Sequence, residues 1–315
     1  MKQSNRIQVI HNAFDSDIEL NLSNVSYRDY VSDFFSRMID EDIGKGDASL
    51  TPKQFYETSL NAKIIAKSSA IIAGLDETIY FLSQKDLTAT SSFKNGYAIE
   101  TGNVLLHIEG KAAEIITVER TILNILQRLS GIATLTKKYT DLIAHTNCSV
   151  TATRKTFWGL LDKRAVQCGG GLTHRLRLYD AAMLKENHLA ILKKSRGNQA
   201  VRTSIQKIVK KYDNLRFIEV EVTSNDEFWD IVDIFNSIKT KVPKVIMFDH
   251  FSPDKITELI EELKSRNLYD QILLEASGNI SLETIKSYAE SGVDVISVGA
   301  LTHSAPSMDY SLIFD

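Results

Sequence analysis

The sequence predicts an α/β protein whose C-terminal half is a parallel β-sheet covered by helices. Apolar runs alternate there with amphipathic helical segments, which is typical of parallel strands that helices cover on both faces. Polar and charged residues follow the runs, and the carboxyl ends of parallel strands meet at one mouth when the strands close into a barrel. We therefore expect an α/β barrel of about six units rather than an open sheet, with apolar runs at residues 149–153, 181–184, 217–222, 245–248, 272–276 and 295–298.

The N-terminal part of the chain has a different pattern. Residues 1 to about 25 are polar and weakly periodic, and we interpret them as an N-terminal extension. A helix is predicted over residues 27–38. Between residues 61 and 116 turns separate short apolar runs, which indicates a strand-and-turn module with a helix at residues 75–83. An uninterrupted apolar stripe then predicts a long helix from Glu119 to about His145 that connects two domains.

Three helices of the C-terminal half have recognisable starts. Ser224 with Glu227 predicts a capping box, in which each side chain bonds the backbone of the other residue. Ser252 followed by Pro253 predicts an N-cap and a proline in the first turn. Ser281 is predicted to cap a further helix. Each start follows an apolar run, which supports the alternation of strands and helices.

Composition and charge limit the possible functions. The chain has 315 residues, 43% hydrophobic and 24% charged, which is typical of globular proteins. The formal net charge of -3 argues against a general attraction to nucleic acid, so a local basic cluster must bind any anion. Cys148 and Cys168 are too few for a disulfide framework and fit a reducing compartment. Because no stretch resembles a signal peptide or a membrane span, we expect a cytoplasmic protein without a membrane partner.

Basic residues cluster at the predicted barrel mouth. Arg154 and Lys155 follow the first strand, His174 and Arg175 follow a glycine-rich turn, and Lys185 follows the second strand. Each residue alone has a structural interpretation, because arginine and lysine commonly cover helix faces. At buried strand ends the group indicates an anionic partner, since guanidinium groups bind carboxylates bidentately and lysines add mobile charge. A dicarboxylate and a phosphate ester both fit this pattern.

Acidic residues and small-residue turns lie at the same mouth. Glu219 and Glu221 are two positions apart in a strand, so both side chains point to one face. These acids and Asp249 either pair with the cations or hold ribose hydroxyls or a hydrated Mg²⁺. The turns Ser277-Gly278-Asn279 and Val298-Gly299-Ala300 are expected to precede helices, and backbone N–H groups at helix starts suit a phosphate.

At these residues the chain resembles the quinolinate phosphoribosyltransferase (decarboxylating) family. The resemblance runs from Glu41 to the C-terminus, and its specificity comes from the order of many short motifs. The motifs are Glu41-Asp42-Ile43-Gly44-Lys45-Gly46-Asp47, Glu119-Arg120-Thr121, Leu129-Ser130-Gly131, Thr153-Arg154-Lys155-Thr156, Gly169-Gly170-Gly171, His174-Arg175, Lys185-Glu186-Asn187-His188, Glu219-Val220-Glu221-Val222, Glu275-Ala276-Ser277-Gly278 and Ser297-Val298-Gly299-Ala300.

The resemblance implies a fold and a domain organisation. The fold is an N-terminal α/β sandwich domain plus a C-terminal incomplete α/β barrel of about six strands. The implied boundaries are an extension at residues 1–25, the sandwich at 26–128 and the catalytic barrel at 129–301. Residues 302–315 would return to the N-terminal domain.

The resemblance also implies a role for each basic residue of the mouth. Arg154, Arg175 and Lys185 would hold the two carboxylates of quinolinate, with His174 beside them. Lys155 would face the diphosphate of phosphoribosyl diphosphate and act as a catalytic residue.

The remaining implied roles concern the ribose, the metal and the partner subunit. Glu221 and Asp249 would be catalytic residues that engage the ribose and bind Mg²⁺. Arg120 would enter the site of the neighbouring subunit, so the minimal active unit would be a homodimer. The resemblance does not decide whether dimers assemble into higher oligomers. The 5′-phosphate would be bound by the two turns, at Ser277, Gly278, Gly299 and Ala300.

The implied reaction is a pentosyl transfer in NAD biosynthesis. Phosphoribosyl diphosphate and quinolinate would give nicotinate mononucleotide, diphosphate and CO2. Three alternatives stay open: a paralogue acting on another acid acceptor, an aldolase-like barrel with a Schiff base at Lys155 or Lys185, and a non-enzymatic protein. Phe157-Trp158, His250 and Asn279 depart from the usual family residues, which leaves the fine specificity open.

Overall fold

The computed structural model describes residues 3–315, which pack as two units. The parallel-sheet unit contains the described residues up to Ser16, with Lys138–Lys155 and Gly171–Ala300, and the antiparallel-sheet unit contains Asp17–Lys137, Thr156–Gly170 and Leu301–Asp315. The helices are α1 (Gln3–Phe14), α2 (Val25–Ile43), α3 (Gln54–Glu57), α4 (Leu75–Ser83), α5 (Ala112–Leu142), α6 (Leu160–Cys168), α7 (Glu186–Lys211), α8 (Asn225–Ser237), α9 (Pro253–Ser265), α10 (Ile285–Glu290) and α11 (Ala300–His303). The strands are β1 (Ser59–Ala66), β2 (Ala70–Ile71), β3 (Thr88–Thr90), β4 (Ala98–Ile99), β5 (Val104–Lys111), β6 (Ser149–Thr151), β7 (Ala182–Leu184), β8 (Ile218–Val222), β9 (Lys244–Asp249), β10 (Leu273–Ser277), β11 (Val295–Ser297) and β12 (Tyr310–Phe314).

The antiparallel-sheet unit is built on a four-stranded sheet with the order β12-β1-β5-β3. The last strand of the chain, β12, pairs with β1. Helices α2 and α4 contact each other through Phe35 and Phe81, whose ring centroids lie 5.0 Å apart. Helix α5 begins directly after β5, earlier than the predicted Glu119, because Ala112 and Ile115 are already buried and extend the apolar stripe backward.

The parallel-sheet unit contains six parallel strands in the order β6-β11-β10-β9-β8-β7. Each strand forms at a predicted apolar run with bounds that differ by at most two residues, because continuous apolar runs suit strands that helices cover on both faces. Strands β6 and β7 are the two edges, and they do not pair with each other within the described residues, so the sheet is not closed. The predicted fold class, an α/β protein with an incomplete six-stranded barrel, is confirmed.

One face of this parallel sheet is concave. Glu219 lies on β8 and Glu275 on β10, and β9 separates these two strands. In a flat sheet β8 and β10 would lie about 10 Å apart. Both carboxylates nevertheless lie within 3.6 Å of the same imidazole nitrogen of His174. Because alternate residues share a face, we define three layers of the concave side by the order of its residues along each strand, from the amino to the carboxyl end. The bottom layer is Phe217, Val245, Leu273 and Val295, which are buried in one cluster. The middle layer is Glu219, Met247, Glu275 and Ser297, and the top layer is Glu221, Asp249 and Ser277.

Helix α1 covers the bottom layer of the concave face. Its residues Ile10, Ala13 and Phe14 are buried in one cluster with the bottom-layer side chains. Arg6 forms a buried bidentate ion pair with Asp294, with both N–O distances 2.6 Å. A bidentate arginine–carboxylate pair combines charge with fixed geometry. The segment expected only as a polar extension therefore contains a helix that belongs to the core.

Two predicted helix starts are found at their expected residues. The Ser224 hydroxyl accepts the N–H of Glu227 at 3.3 Å at the start of α8. The Glu227 carboxylate, however, binds the N–H of Thr223 at 3.1 Å, so the predicted reciprocal capping box is only half formed. The Ser252 hydroxyl accepts the N–H of Lys255 at 3.3 Å, and α9 begins with a proline as predicted.

Candidate functional site

The predicted site residues collect at the carboxyl edge of the parallel sheet. Because all six strands run in the same direction, the residues at their carboxyl ends lie along one edge, where α/β folds bind ligands. We call this set the rim. In spatial order it contains Arg154 and Lys155 after β6, Gly299 and Ala300 after β11, Ser277 and Gly278 at the end of β10, Asp249 at the end of β9, Glu221 near the end of β8, and Lys185 after β7.

Three rim cations are exposed to solvent. Arg154, Lys155 and Lys185 are exposed, and Lys185 forms an ion pair with the half-buried Glu221. The expectation that these cations lie at buried strand ends is wrong, because the strand ends open to solvent at this edge. An exposed ion pair contributes little to stability. Lys185 and Glu221 can therefore exchange each other for a ligand at low energetic cost.

Arg175 is the buried cation of the site. It is 7% exposed, and its guanidinium donates to the carbonyl of Ala181 at 3.0 Å and contacts the sulfur of Met183 at 3.7 Å. Burial lowers the pKa of Arg175, and the nearby charge of Arg154 lowers it further. Arginine nonetheless stays protonated in proteins. Two guanidinium groups that repel each other are stabilised by an anion that carries two negative groups.

A buried group, which we call the buried triad, lies beneath the rim and consists of His174, Glu219 and Glu275. The Nε2 atom of His174 lies 3.2 Å from Glu275 Oε2 and 3.6 Å from Glu219 Oε2. His174 is 4% exposed and both glutamates are 0% exposed. Sequence reasoning placed His174 and Glu219 at the mouth but missed Glu275. The signal that could have found it is its two-residue spacing from Ser277, which repeats the spacing of Glu219 and Glu221.

Burial acts on the charge of Glu219 in the buried triad. Burial raises the pKa of Glu219 well above its usual range, and the neighbouring Glu275 carboxylate raises it further. Lys185 and Arg175 act in the opposite direction on this pKa, with smaller effects. Two buried carboxylates at this separation cannot both be ionised without a large electrostatic cost. The raised pKa of Glu219 therefore favours its protonated, uncharged form.

The turn after β10 is shaped by His250, which lies at the end of β9. Gly278 has φ +106°, and a Cβ atom there would lie 2.0 Å from His250 Nδ1, so only glycine fits. The His250 N–H donates to the carbonyl of Ser277 at 3.0 Å, and its ring lies 3.4 Å from the Asp249 carboxylate. His250 and Asn279 both have positive φ, which histidine and asparagine adopt more readily than most residues. His250 and Asn279, which depart from the usual family residues, thus have backbone conformations that suit this turn.

The small-residue turns differ from the prediction in one respect. Helix α10 begins at Ile285, directly after Thr284, and the Ser281 hydroxyl contacts the side chains of Glu283 and Thr284 rather than a backbone N–H, so the predicted side-chain cap is not formed. The second turn, Gly299-Ala300, leads into α11, which spans only Ala300–His303. The prediction that a helix start follows the first turn is therefore wrong. Ser277 is the last residue of β10, and Gly278 and Asn279 belong to the loop that follows it.

The remaining residues singled out in the sequence are not members of the rim. Arg120 is exposed on α5 in the antiparallel-sheet unit. Cys148 and Cys168 are free thiols, and burial raises the pKa of Cys168 to about 12 and that of Cys148 well above its usual value, so neither is an activated nucleophile. The N–H groups of Phe157 and Trp158 both donate to Asp162. In residues 3–315 we find no helix with the length and apolar character that crossing a bilayer requires.

The incomplete barrel and its rim define an α/β enzyme that binds polyanionic substrates at the carboxyl ends of its strands. Two family models identify it further. The model described as Quinolinate phosphoribosyl transferase, N-terminal domain, matches residues 50–130, and the C-terminal domain model matches residues 132–313. The chain therefore belongs to the quinolinate phosphoribosyltransferase family, which confirms the resemblance.

Similar proteins cover most of the chain. A protein of Archaeoglobus fulgidus named probable nicotinate-nucleotide pyrophosphorylase (carboxylating) is 35% identical over 273 residues, which are 85% of this chain and 97% of that protein. A protein of Nicotiana tabacum named quinolinate phosphoribosyltransferase (decarboxylating) 1b is 33% identical over 286 residues, with coverages of 88% and 80%. The solved structure of the nicotinate-nucleotide pyrophosphorylase from Francisella tularensis aligns with a TM-score of 0.77 at 32% identity, and covers 91% of this chain and 96% of its own.

Proposed function

We propose that this protein transfers the phosphoribosyl group of phosphoribosyl diphosphate to quinolinate and releases nicotinate mononucleotide, diphosphate and CO2. The observation that carries the proposal is the pair Arg154 and Arg175, which lie close enough for one charge to lower the pKa of the other. A monoacid would leave part of this charge uncompensated, whereas a dicarboxylate matches both groups. Family membership makes quinolinate the dicarboxylate that we propose.

The acceptor carboxylates are bound by three cations in this proposal. Arg154 reaches them from solvent, Arg175 from its buried position, and Lys185 after it leaves Glu221. This clamp fixes the pyridine nitrogen opposite the ribose carbon that it attacks. Positioning of this kind supplies a large share of the rate in transfer reactions without a protein nucleophile.

The donor is bound by the remaining rim residues. We assign Lys155 to the diphosphate and the loops at Ser277-Gly278 and Gly299-Ala300 to the 5′-phosphate. Glu221 and Asp249, whose side chains are 11% and 31% exposed, offer oxygen atoms that suit Mg²⁺ and would hold it. When bound, Mg²⁺ offsets the negative charge of the diphosphate leaving group.

The bonds change in two steps. The bond between the ribose carbon and diphosphate breaks, and its electron pair leaves with diphosphate. The lone pair of the pyridine nitrogen forms the new bond, while Glu221 and Asp249 stabilise the positive charge that develops on the ribose. The carboxylate next to the nitrogen then leaves as CO2, and its electron pair stays on the ring carbon, which takes a proton from solvent.

The assembly is also part of the proposal. We place Arg120 in the active site of a partner subunit, so the active unit is a homodimer. Support comes from its exposed position on α5 and from the family motif Glu119-Arg120-Thr121. The two free cysteines fit a reducing compartment such as the cytoplasm.

A direct assay tests the function. Purified protein is mixed with quinolinate, phosphoribosyl diphosphate and Mg²⁺, and nicotinate mononucleotide and CO2 are measured. We expect both products in equal amounts and none after chelation of Mg²⁺. Nicotinate replaces quinolinate in a parallel reaction and should give little product, because it has one carboxylate. Equal turnover of nicotinate, or no product from quinolinate, would contradict the proposal.

A further inference from the structure

The inference concerns the buried triad, which the proposed chemistry does not use. The triad lies in the middle layer of the concave face, between the apolar bottom layer and the rim. Burial of a histidine and two carboxyl groups is costly unless their hydrogen bonds are satisfied. Because the triad lies beneath the cations that bind the acceptor in the proposed function, its hydrogen bonds can influence how those cations are held.

The hydrogen bonds of His174 define its tautomer. The backbone N–H of Arg175 donates to His174 Nδ1 at 2.8 Å, so Nδ1 is an acceptor and carries no proton. The single ring proton of a neutral imidazole must then be on Nε2, which lies 3.2 Å from Glu275 and donates to it. Both ring nitrogens are engaged within the protein.

This tautomer argues against a metal in the triad. Within the described residues the triad is the one group of at least three His, Cys, Asp or Glu residues whose possible ligand atoms all lie within 4.8 Å of one another. A histidine that binds a metal through Nε2 needs a lone pair there, and its proton must then move to Nδ1. The N–H of Arg175 points at Nδ1 and excludes a proton from it. A histidine that donates from Nε2 to Glu275 is therefore favoured over a metal site.

Helix α1 holds the same histidine from below. The backbone N–H of His174 donates to the carbonyl of Phe14 at 2.8 Å, and the hydroxyl of Thr173 donates to that carbonyl at 3.2 Å. The ring of Phe14 meets the imidazole edge-on at 5.2 Å, and Phe217 does so at 5.1 Å. These contacts fix a residue with φ +55°, which is an unfavourable conformation for most side chains. Phe14 precedes the region that the family models match.

We propose that His174 is a positioning residue for the acceptor site: its Nδ1 holds the backbone N–H of Arg175, and Glu275 accepts the proton on Nε2. The proposal rests on the proposed function, because the acceptor is that of the proposed reaction. It differs from the substrate contact that the family resemblance implies for His174. The imidazole acts through Arg175, whose guanidinium then stays against the Ala181 carbonyl.

Substitutions at His174 distinguish positioning from substrate contact. Asparagine tolerates positive φ and can place its Oδ1 near the position of Nδ1, so His174→Asn keeps an acceptor for the Arg175 N–H. His174→Ala removes the acceptor. We expect His174→Ala to raise the KM for quinolinate about tenfold or more and to leave the KM for phosphoribosyl diphosphate nearly unchanged. His174→Asn should recover most of the quinolinate affinity, and His145→Asn, at an exposed histidine, is the matched control.

Two measurements on the same proteins complete the test. Calorimetric titration with quinolinate measures acceptor binding without turnover. ¹⁵N NMR of the labelled histidines reports the tautomer of His174, and the signals that disappear in His174→Asn are those of His174. Equal loss of affinity in His174→Asn and His174→Ala, or a proton on Nδ1, would overturn the inference. Failure of the wild-type protein to turn over quinolinate overturns the proposed function instead, while the NMR result still reports on the tautomer.

Discussion

The rim and the buried triad are built on the same strands, but they differ in contact with solvent and in charge. Glu221 reaches solvent and pairs with Lys185, whereas Glu219, on the same face of β8, is fully buried beside Glu275. A step of two residues along the strand separates a carboxylate that pairs with a lysine from a buried carboxyl group whose pKa burial raises. One face of a sheet can therefore do two things: the rim binds the ligand, and the buried triad beneath it positions the residues of the rim.

The largest expected effect is on the rim. Arg154→Ala should lower kcat/KM for quinolinate about hundredfold or more, because it removes a charge-assisted contact to the acceptor. The side chain is exposed, so Tm should change by no more than about a degree. Steady-state kinetics measures kcat/KM, and scanning calorimetry measures Tm. Arg266→Ala, at an exposed arginine on the far end of α9, is the control. If Arg154→Ala retained its activity, Arg154 would not be one of the residues that bind the acceptor.

The second prediction asks whether the rim is completed by a partner subunit. Arg120→Ala and Arg175→Ala chains should each be inactive alone. Random exchange of subunits makes half of the dimers mixed, and one of the two sites in each mixed dimer is intact, so mixing should restore about a quarter of the wild-type activity. Activity is measured after subunit exchange, with each variant mixed with wild-type chain as the reference. Absence of any recovery would place Arg120 outside the shared site.

The strands could be predicted from the sequence, whereas the depth of each side chain could not. Apolar periodicity is a local signal, so the run at residues 217–222 was enough to predict β8, and the same-face relation of Glu219 and Glu221 followed from it. Which of these two acids is buried depends on the curvature of the whole sheet.

Long-range contacts were the part that local patterns could not show. Arg6 and Asp294 are 288 residues apart, and His174 and Glu275 are 101 residues apart. Helix α1 was expected only as a polar extension because its few apolar residues form a weak stripe, and its burial depends on the sheet that it covers. The exposed position of Arg154 was missed for the same reason.

The third prediction compares the two glutamates of β8 directly. Glu221→Gln should lower kcat about tenfold or more, because the amide cannot stabilise the cationic ribose or bind Mg²⁺ as a carboxylate does. Glu219→Gln should stay within about threefold of wild type, because glutamine has nearly the shape of the protonated acid that it replaces. Steady-state kinetics with both substrates tests this pair. An equal loss in both variants would show that the buried layer takes part in the chemistry.

The smallest expected effect is on stability, and its sign follows from the raised pKa of Glu219. A group whose pKa is higher in the folded state contributes stability below its unfolded value of about 4.3, and that contribution is lost as pH rises toward the folded value. Glu219→Gln removes this titration. Its Tm relative to wild type should therefore rise as pH increases from about 5. Glu258→Gln, on the exposed face of α9, should show no such trend. A difference that stays constant across this pH range would mean that Glu219 is ionised throughout, and the contrast between the rim and the buried triad would then be one of burial alone.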